Sequence, residues 1–249
     1  MHYRHSFGKY FNRVKNFISP AVVTRPASVS ELMDDLRGND IVTQFNDLYY
    51  KNHHPLIWRG RKVLKNPCDL WIMFELIASL KPKLIIETGT AEGGSAILYR
   101  DIARLLKIDT KIITIDINPK WLDNPEDSEI ISLVGLSTDR RIISHVADCV
   151  SEISGDGNIL VCLDSDHSKE NVLAELTAYT PFVTPGSYCI VEDTNVNGHP
   201  SFLSHGAGPW EAVEDFLINN KNFVIDDSLE KYLLTFNPSG YLKKLAGTL

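Results

Sequence analysis

Short apolar segments that end in acidic residues alternate with helical segments from residue 84 onward, and this pattern limits the possible folds most strongly. Five apolar segments are predicted as strands, and all but the third end in an acidic residue: Leu84–Glu87, Lys111–Asp116, Ile142–Ala147, Ile159–Asp164 and Ser187–Glu192. Strands that are apolar along most of their length are typical of a parallel sheet covered by helices on both faces. We therefore predict an α/β fold with a doubly wound, mostly parallel sheet. Two short strand candidates, Phe223–Asp226 and Tyr232–Thr235, give it antiparallel character at the C-terminal end.

The first 50 residues differ from the rest of the chain, and we predict a helical extension over residues 1–50 and a main domain over residues 51–249. Residues 1–26 contain five basic side chains, no acidic side chain, and aromatic residues near helical spacing. Ser28 and Glu31 have the spacing of a capping box, which predicts a second helix. A basic amphipathic helix can bind a membrane surface or a partner. We favour the alternative that it packs on its own domain or on a second subunit.

The composition of the 249-residue chain excludes several classes of protein. Lys and Arg total 25 and Asp and Glu total 32, so the net charge is −7 and a general nucleic-acid binder is not expected. No segment approaches the ~18 apolar residues of a transmembrane span, and no apolar region of a secretory signal follows the basic start. The four cysteines form no C-x-x-C pair. We expect a cytoplasmic protein that binds a small molecule.

Four predicted strands end in acids, which belong at one edge of the sheet. They are Glu87, Asp116, Asp164 with Asp166, and Glu192 with Asp193. Ligands of open parallel sheets bind at the carboxyl ends of the strands, and crowded carboxylates there favour a cation. We predict that Asp166, Glu192 and Asp193 bind Mg²⁺ or another divalent cation. The alternative is that Glu192 or Asp193 caps a helix or pairs with a basic side chain.

A glycine-rich turn follows the first of these strands. Gly89, Gly93 and Gly94 allow a tight turn and the close approach of a ligand, but their spacing is neither that of a dinucleotide site nor that of a P-loop. Asp116, at the end of the next strand, can accept hydrogen bonds from both hydroxyls of a ribose. The turn resembles the first motif of class I S-adenosylmethionine-dependent methyltransferases.

Several motifs that recur in order resemble the cephalosporin hydroxylase / rhamnosyl O-methyltransferase family between about Trp58 and Leu242. They are Asn66-Pro-Cys-Asp-Leu-Trp71, Lys81-Pro-Lys-Leu-Ile-Ile-Glu-Thr-Gly-Thr90, Gly93-Gly-Ser-Ala96, Leu163-Asp-Ser-Asp-His-Ser168, Glu192-Asp-Thr194 and Thr235-Phe-Asn-Pro-Ser-Gly-Tyr-Leu242. The resemblance implies a Rossmann-like class I methyltransferase fold for residues 51–249. It also implies S-adenosylmethionine and a divalent metal as cofactors, and a homo-oligomer.

The resemblance also implies roles for individual residues. Residues assigned to S-adenosylmethionine are Glu87, Gly89, Thr90, Ser95, Asp116 and Asp148. Asp148 would accept the adenine amino group, and its rival interpretation is a turn cap. The segment Asp166-His167-Ser168-Lys169 is similar to one in catechol O-methyltransferase, which implies that Asp166 binds the metal and Lys169 is the base. Asp164 competes with Asp166 as the ligand. In macrolide-sugar O-methyltransferases a histidine serves as the base, so His167 is the alternative candidate.

The expected reaction is the transfer of a methyl group from S-adenosylmethionine to a hydroxyl of a sugar or natural-product acceptor that is chelated by Mg²⁺. The loop Asn195–Pro209 could act as a lid over the site. Three alternatives stay open: an NAD-dependent oxidoreductase, against which the glycine spacing argues, an iron-dependent hydroxylase, and a non-catalytic partner subunit that retains the fold.

Overall fold

The computed structural model describes residues 41–51, 55–118, 120, 128–153 and 155–246. Its helices are α1 (Ile41–Lys51), α2 (Pro67–Leu80), α3 (Gly94–Leu105), α4 (Arg140–Ile153), α5 (Lys169–Tyr179) and α6 (Pro209–Asn219). Its strands are β1 (Leu56–Trp58), β2 (Arg61–Val63), β3 (Leu84–Thr88), β4 (Lys111–Asp116), β5 (Ile130–Val134), β6 (Ile159–Leu163), β7 (Tyr188–Val191), β8 (Phe223–Ile225) and β9 (Tyr241–Lys244).

Seven strands form the central sheet, in the order β5-β4-β3-β6-β7-β9-β8. The five from β5 to β7 are parallel, whereas β9 runs antiparallel to both β7 and β8. Side chains of β3 alternate between two apolar cores: Ile86 belongs to one and Ile85 to the other. Because successive strand residues point to opposite faces, this places a core on each side of the sheet. The predicted doubly wound α/β fold is confirmed.

Two predicted strands are wrong. Residues 142–147 lie inside α4, and the missed strand is β5 (Ile130–Val134), at the edge of the sheet. Ile142, Val146 and Cys149 recur at helical spacing and all pack in one core. This spacing is that of a helix with one buried face and not that of a strand. Residues 232–235 form no strand, since Leu233 has a φ of +65° within a turn and the last strand is β9.

A short hairpin and a capped helix precede the main sheet. The hairpin is the antiparallel pair β1 and β2. The Asn66 side chain then accepts a hydrogen bond from Cys68 N at 2.7 Å, and Pro67 occupies the first helical position of α2. The helix ends at Lys81, whose φ is 48°. This arrangement fixes Lys65 and Asp69, on either side of the cap, as buried residues.

Helix α1 is held on the main domain by aromatic contacts. The Tyr50 ring stacks on Phe236 with a centroid separation of 4.9 Å, and Tyr49 meets the same ring edge-on at 5.0 Å. Asn195 Nδ2 donates to the Tyr50 hydroxyl at 3.1 Å. The rest of the predicted extension, including its capping box, lies outside the described residues, so the boundary at residue 50 stays a prediction.

Two further sequence expectations can be compared with the described part of the chain. No helix there is long and apolar enough to cross a membrane. All four cysteines are free thiols, and three of them are buried.

Candidate active site

A cavity of about 550 Å³ opens at the carboxyl ends of the central strands. It lies where the order of the strands changes direction. From β3 the chain continues to β4 and β5 on one side of the sheet, and then returns to β6 on the other side of β3. Open α/β sheets bind ligands at such a point, and the volume is within the range of small-molecule sites. The cavity is the candidate active site.

The glycine-rich turn forms one wall of the cavity. Gly89 has a φ of +88°, and a Cβ built there would lie 1.8 Å from the backbone oxygen of Asp164, so only glycine fits where β3 passes β6. Gly93 has a φ of +73° at the residue before α3. Asp116 braces the turn, because its Oδ2 accepts from Ala91 N at 2.9 Å and its Oδ1 accepts from Asn118 N at 2.8 Å.

Most of the residues expected to bind the cofactor come together at this wall. Gly89, Thr90, Ser95 and Asp116 line the cavity. Glu87 lies fully buried behind the turn, where its Oε2 accepts from Thr114 Oγ1 at 3.0 Å. Burial raises the pKa of Glu87 to about 7, although the charge of Lys65 opposes the shift.

Asp148 is not brought to the cavity. It is an exposed residue of α4, the helix that replaces the predicted strand, and it is absent from the cavity wall. The apolar residues Ile117 and Leu136 line the cavity, and they are 65% and 60% exposed. The structure therefore offers an apolar surface where the sequence suggested a polar acceptor.

After the ends of β6 and β7, three side chains form a group that could hold a metal ion. One donor atom each from Asp164, His167 and Asp193 lie within 4.8 Å of one another. His167 Nε2 is 3.3 Å from Asp193 Oδ2 and 3.9 Å from Asp164 Oδ1. All three residues line the cavity, so the group faces the space that a ligand would occupy.

The backbone holds Asp193 in place. Its φ is +55°, and its N–H donates to Asn237 Oδ1 at 2.9 Å. Burial raises the pKa of Asp193 to about 7; His167 opposes this shift, while the charges of Asp164 and Glu192 add to it. The part of this shift that comes from neighbouring charges shows that Asp193 lies among other carboxylates, and crowded carboxylates favour a bound cation.

Glu192 lies next to this group but is engaged elsewhere. Its Oε1 accepts from Lys65 Nζ at 3.0 Å and its Oε2 accepts from Asn237 Nδ2 at 2.8 Å. Burial acts to raise the pKa of Glu192, but the charge and hydrogen bonds of Lys65 and Asn237 lower it overall. The structure thus shows the pairing with a basic side chain that the sequence left open as the alternative to metal ligation.

Lys65 is a charged residue of this site that the sequence did not predict. Its Nζ also lies 2.7 Å from Asp164 Oδ2, so it bridges two of the strand-end carboxylates. The one sequence signal for Lys65 was its position directly before the Asn66-Pro67 motif. The residues around Lys65 have no pattern that indicates a buried lysine.

Asp166 is not brought into the three-donor group. It is exposed at the rim of the cavity, and its Oδ1 accepts from Ser168 N at 2.7 Å, just before α5 begins. The hydrogen bonds from Ser168 lower the pKa of Asp166. Asp164, two residues earlier, occupies the place in the group that was expected for Asp166.

Lys169 points away from the cavity. Its Nζ forms an ion pair with Asp215 Oδ2 of α6 at 2.6 Å, and it is absent from the cavity wall. The hydrogen bond to Asp215 raises the pKa of Lys169. The amine therefore stays protonated at neutral pH, and a protonated amine cannot accept a proton. Of the two expected bases, only His167 lies in the site.

The loop expected to act as a lid is tied to the start of α6. Glu211 Oε1 accepts from Asn197 Nδ2 at 2.8 Å and lies 3.0 Å from His199 Nε2, and Oε2 accepts from Gly208 N at 2.7 Å. Although burial acts to raise the pKa of Glu211, these hydrogen bonds lower it to about 2. The His199 ring also stacks on Trp210 at 4.4 Å.

Comparison with known proteins gives a consistent result. The family described as rhamnosyl O-methyltransferase/CmcI matches residues 49–245. Rhamnosyl O-methyltransferase of Mycobacterium leprae is 35% identical over 181 residues, which are 72% of this chain and 78% of that protein. The Mycobacterium tuberculosis protein of the same name is 34% identical over 216 residues, 83% of this chain and 86% of its own. A solved structure of CmcI with Mg and SAM covers 78% of both chains at a TM-score of 0.61 and 21% identity, which shows a shared fold.

Proposed function

The chain belongs to the rhamnosyl O-methyltransferase/CmcI family, and on this premise we propose that it methylates a hydroxyl of a sugar or natural-product acceptor, with S-adenosylmethionine as the donor and a divalent cation at the site. The observation that carries the proposal is the group Asp164, His167 and Asp193, which faces the same cavity as the glycine-rich turn and Asp116.

The cavity wall suits the methyl donor. Thr90 and Ser95 supply hydroxyl groups beside the turn, and Asp116 keeps lone pairs for ribose hydroxyls while it braces the turn. We assign the adenine to the apolar surface of Ile117 and Leu136, because a flat ring that covers them removes exposed apolar area from water. This assignment replaces the expected contact with Asp148.

The carboxylates suit a hard dication. We assign Asp164 and Asp193 as its protein ligands, since both are oxygen donors and the negative charge between them is only partly neutralised. When bound, the cation supplies Lewis acidity that lowers the pKa of an acceptor hydroxyl and orients its oxygen. Mg²⁺ retains several waters in such sites, so two carboxylates are sufficient. Glu192 and Asp166, expected as ligands from the sequence, are not part of this assignment.

His167 is the proposed proton acceptor. Its Nε2 lies within the donor group, and Asp193 Oδ2 at 3.3 Å is placed to stabilise the imidazolium that forms when the ring takes a proton. Lys169 would first have to break its ion pair with Asp215.

Calorimetry and a methyl-transfer assay test the proposal. The wild-type protein should bind S-adenosylmethionine, and Asp116→Asn should weaken the affinity about tenfold or more, because a charged acceptor is lost. Asp148→Asn is the matched control and should leave the affinity unchanged. With a rhamnosyl-bearing acceptor, EDTA should abolish turnover and Mg²⁺ should restore it. Turnover that persists in EDTA would show that no dissociable cation takes part.

Substitution of the two candidate bases separates their roles. His167→Gln should retain Mg²⁺ affinity but lose kcat by about 10²-fold or more, the usual contribution of a general base. Lys169→Met should keep both the Mg²⁺ affinity and the kcat of the wild type. If His167→Gln loses Mg²⁺ binding, the imidazole is a third ligand, and if only Lys169→Met loses kcat, the base is the lysine.

A further inference from the structure

We propose that Asn237 is a positioning residue of the cation site: its side-chain amide fixes Asp193 and the neighbouring Glu192 after β7, and without it a divalent cation binds more weakly. The inference rests on the proposed cation site and deepens it. It assigns a role to a residue outside the ligand set, in a sequence motif to which the proposed function gives no role.

Asn237 lies in the segment that leads into β9, the strand that pairs with β7. The backbone N–H of Val191, the last residue of β7, donates to Gly240 O at 2.8 Å, so this segment runs beside the end of β7. A Cβ built on Gly240 would lie 2.3 Å from Val191 O, and a larger residue there would push the two segments apart. The Asn237 side chain is thereby placed next to the acids that follow β7, and only 1% of the residue is exposed.

Both ends of the Asn237 amide contact these acids. Its Nδ2 donates to Glu192 Oε2 at 2.8 Å, and its Oδ1 accepts from the backbone N–H of Asp193 at 2.9 Å. Asp193 has a φ of +55°, a backbone conformation that is uncommon for residues other than glycine. An acceptor that meets the Asp193 N–H in this conformation stabilises it. The amide therefore fixes the backbone from which the Asp193 side chain reaches the cavity.

The segment that carries Asn237 is itself held from behind. The buried Asp69 carboxylate accepts from Phe236 N at 2.8 Å and from the Thr235 hydroxyl, and Thr235 Oγ1 accepts from Asn237 N at 2.9 Å. A side chain can orient a neighbouring ligand when its own backbone is fixed by packing and hydrogen bonds. Asn237 meets this condition.

The expected consequence is a change in cation affinity and not in donor affinity. Loss of the amide leaves the Asp193 N–H without its acceptor and lets Asp193 and Glu192 adopt other arrangements. Partners that orient metal ligands typically contribute about 10–100-fold to metal affinity, although they do not touch the ion. Within the described part of the chain, the hydrogen bonds of Asn237 do not reach the turn after β3 or the end of β4.

Calorimetric titration of the full-length protein with Mg²⁺, and separately with Mn²⁺, tests the inference. Asn237→Ala should bind each ion about tenfold or more weakly than the wild type. Its affinity for S-adenosylhomocysteine, measured without metal, should stay that of the wild type. Asn237→Ser keeps a polar group but cannot reach both partners, so it should change in the same direction and provides the test if Asn237→Ala does not fold.

Thr194→Val is the matched control. The buried Thr194 Oγ1 donates to Pro238 O at 2.6 Å, so this variant removes another buried hydrogen bond between the same two segments. Its melting temperature should fall as that of Asn237→Ala does, because each variant loses a buried hydrogen bond. Its Mg²⁺ affinity should stay that of the wild type, because the Asn237 amide still holds Asp193.

The possible results distinguish the two proposals. Wild-type Mg²⁺ affinity in both Asn237 variants would overturn the positioning role and leave the cation site intact. An equal weakening in Thr194→Val, or a parallel loss of S-adenosylhomocysteine affinity in Asn237→Ala, would make Asn237 a structural residue only. A wild type that binds neither ion would refute the cation site, and the role of Asn237 with it.

Discussion

Asp69 is a buried carboxylate that joins α2 to the C-terminal segment. Its Oδ1 accepts from Tyr241 Oη at 2.8 Å and its Oδ2 accepts from Phe236 N at 2.8 Å, and Thr235 donates as well. Burial raises the pKa of Asp69 to about 7, the charge of Glu192 adds to this, and the hydrogen bonds oppose it. The folded protein therefore holds a proton on Asp69 more tightly than the unfolded chain does.

This shift predicts a pH dependence of stability. A group whose pKa is raised by folding contributes stability at low pH, and that contribution is lost as the pH rises through the folded value, here about 7. The free energy of unfolding of the wild type, relative to Asp69→Asn, should fall by up to about 1.4 kcal/mol per pH unit between about pH 4 and 7. Urea denaturation of both proteins across this range measures the difference. A difference that is flat with pH would contradict the account.

Gly89 allows a second prediction at the residue scale. Gly89→Ala should lower the free energy of unfolding by about 3 kcal/mol or more, because the added Cβ meets the Asp164 backbone and the left-handed φ is strained. Gly60 has a similar φ of +76°, but a Cβ built there would meet no atom within 4 Å. Gly60→Ala should therefore lower the free energy of unfolding by only about 1–2 kcal/mol. Equal losses in denaturant melts would show that strain alone, and not the close approach of β3 to β6, requires glycine at residue 89.

The residues of the site differ in how well the sequence could place them. Gly89 and Asp193 follow strands with clear apolar patterns and Asp116 ends one, so their location at one edge of the sheet could be predicted. The choice of Asp164 over Asp166 depends on a local hydrogen bond to Ser168, which the spacing does not determine. Lys65 meets Asp164 and Glu192, which are 99 and 127 residues further along the chain, and only the folded structure shows that contact.

Among the secondary-structure elements, the buried ones were predicted best. Strands β3, β4, β6 and β7 have apolar runs that the sequence shows directly. The errors fall at the margins of the sheet. Strand β5 is an edge strand that is mostly half-buried, so its apolar pattern is weak, whereas α4 presents an apolar face that was taken for a strand.

The loop between β7 and α6 is the element for which we predict local motion. Because Glu211 connects Asn197, His199 and Gly208, Glu211→Ala should raise amide hydrogen exchange across residues 195–208 while the sheet stays protected. Glu214 is an exposed residue of the same helix, so Glu214→Ala is the matched control. It should change hydrogen exchange neither in the loop nor in the sheet. Unchanged exchange in the loop of Glu211→Ala would mean that Glu211 does not hold it.

At the scale of the whole molecule, the doubly wound sheet brings two sets of residues to one cavity. The turn after β3 and the end of β4 line the part of the cavity that we assign to the methyl donor, and the ends of β6 and β7 supply the acids. The net charge of −7 gives no general attraction for anions, so binding depends on this local arrangement. The family match fixes the fold and the class of reaction, and the cavity is where we propose that the reaction takes place.

The central claim is that Asp164 and Asp193 hold a divalent cation beside the bound methyl donor. Crystals grown with S-adenosylhomocysteine and Mn²⁺ test it most directly through the anomalous signal of the metal. We predict a single strong peak in the cavity, within bonding distance of one oxygen of Asp164 and one of Asp193, with Glu192 still on Lys65. A peak bound by Asp166, or an ordered S-adenosylhomocysteine with no metal peak beside these two carboxylates, would contradict the account.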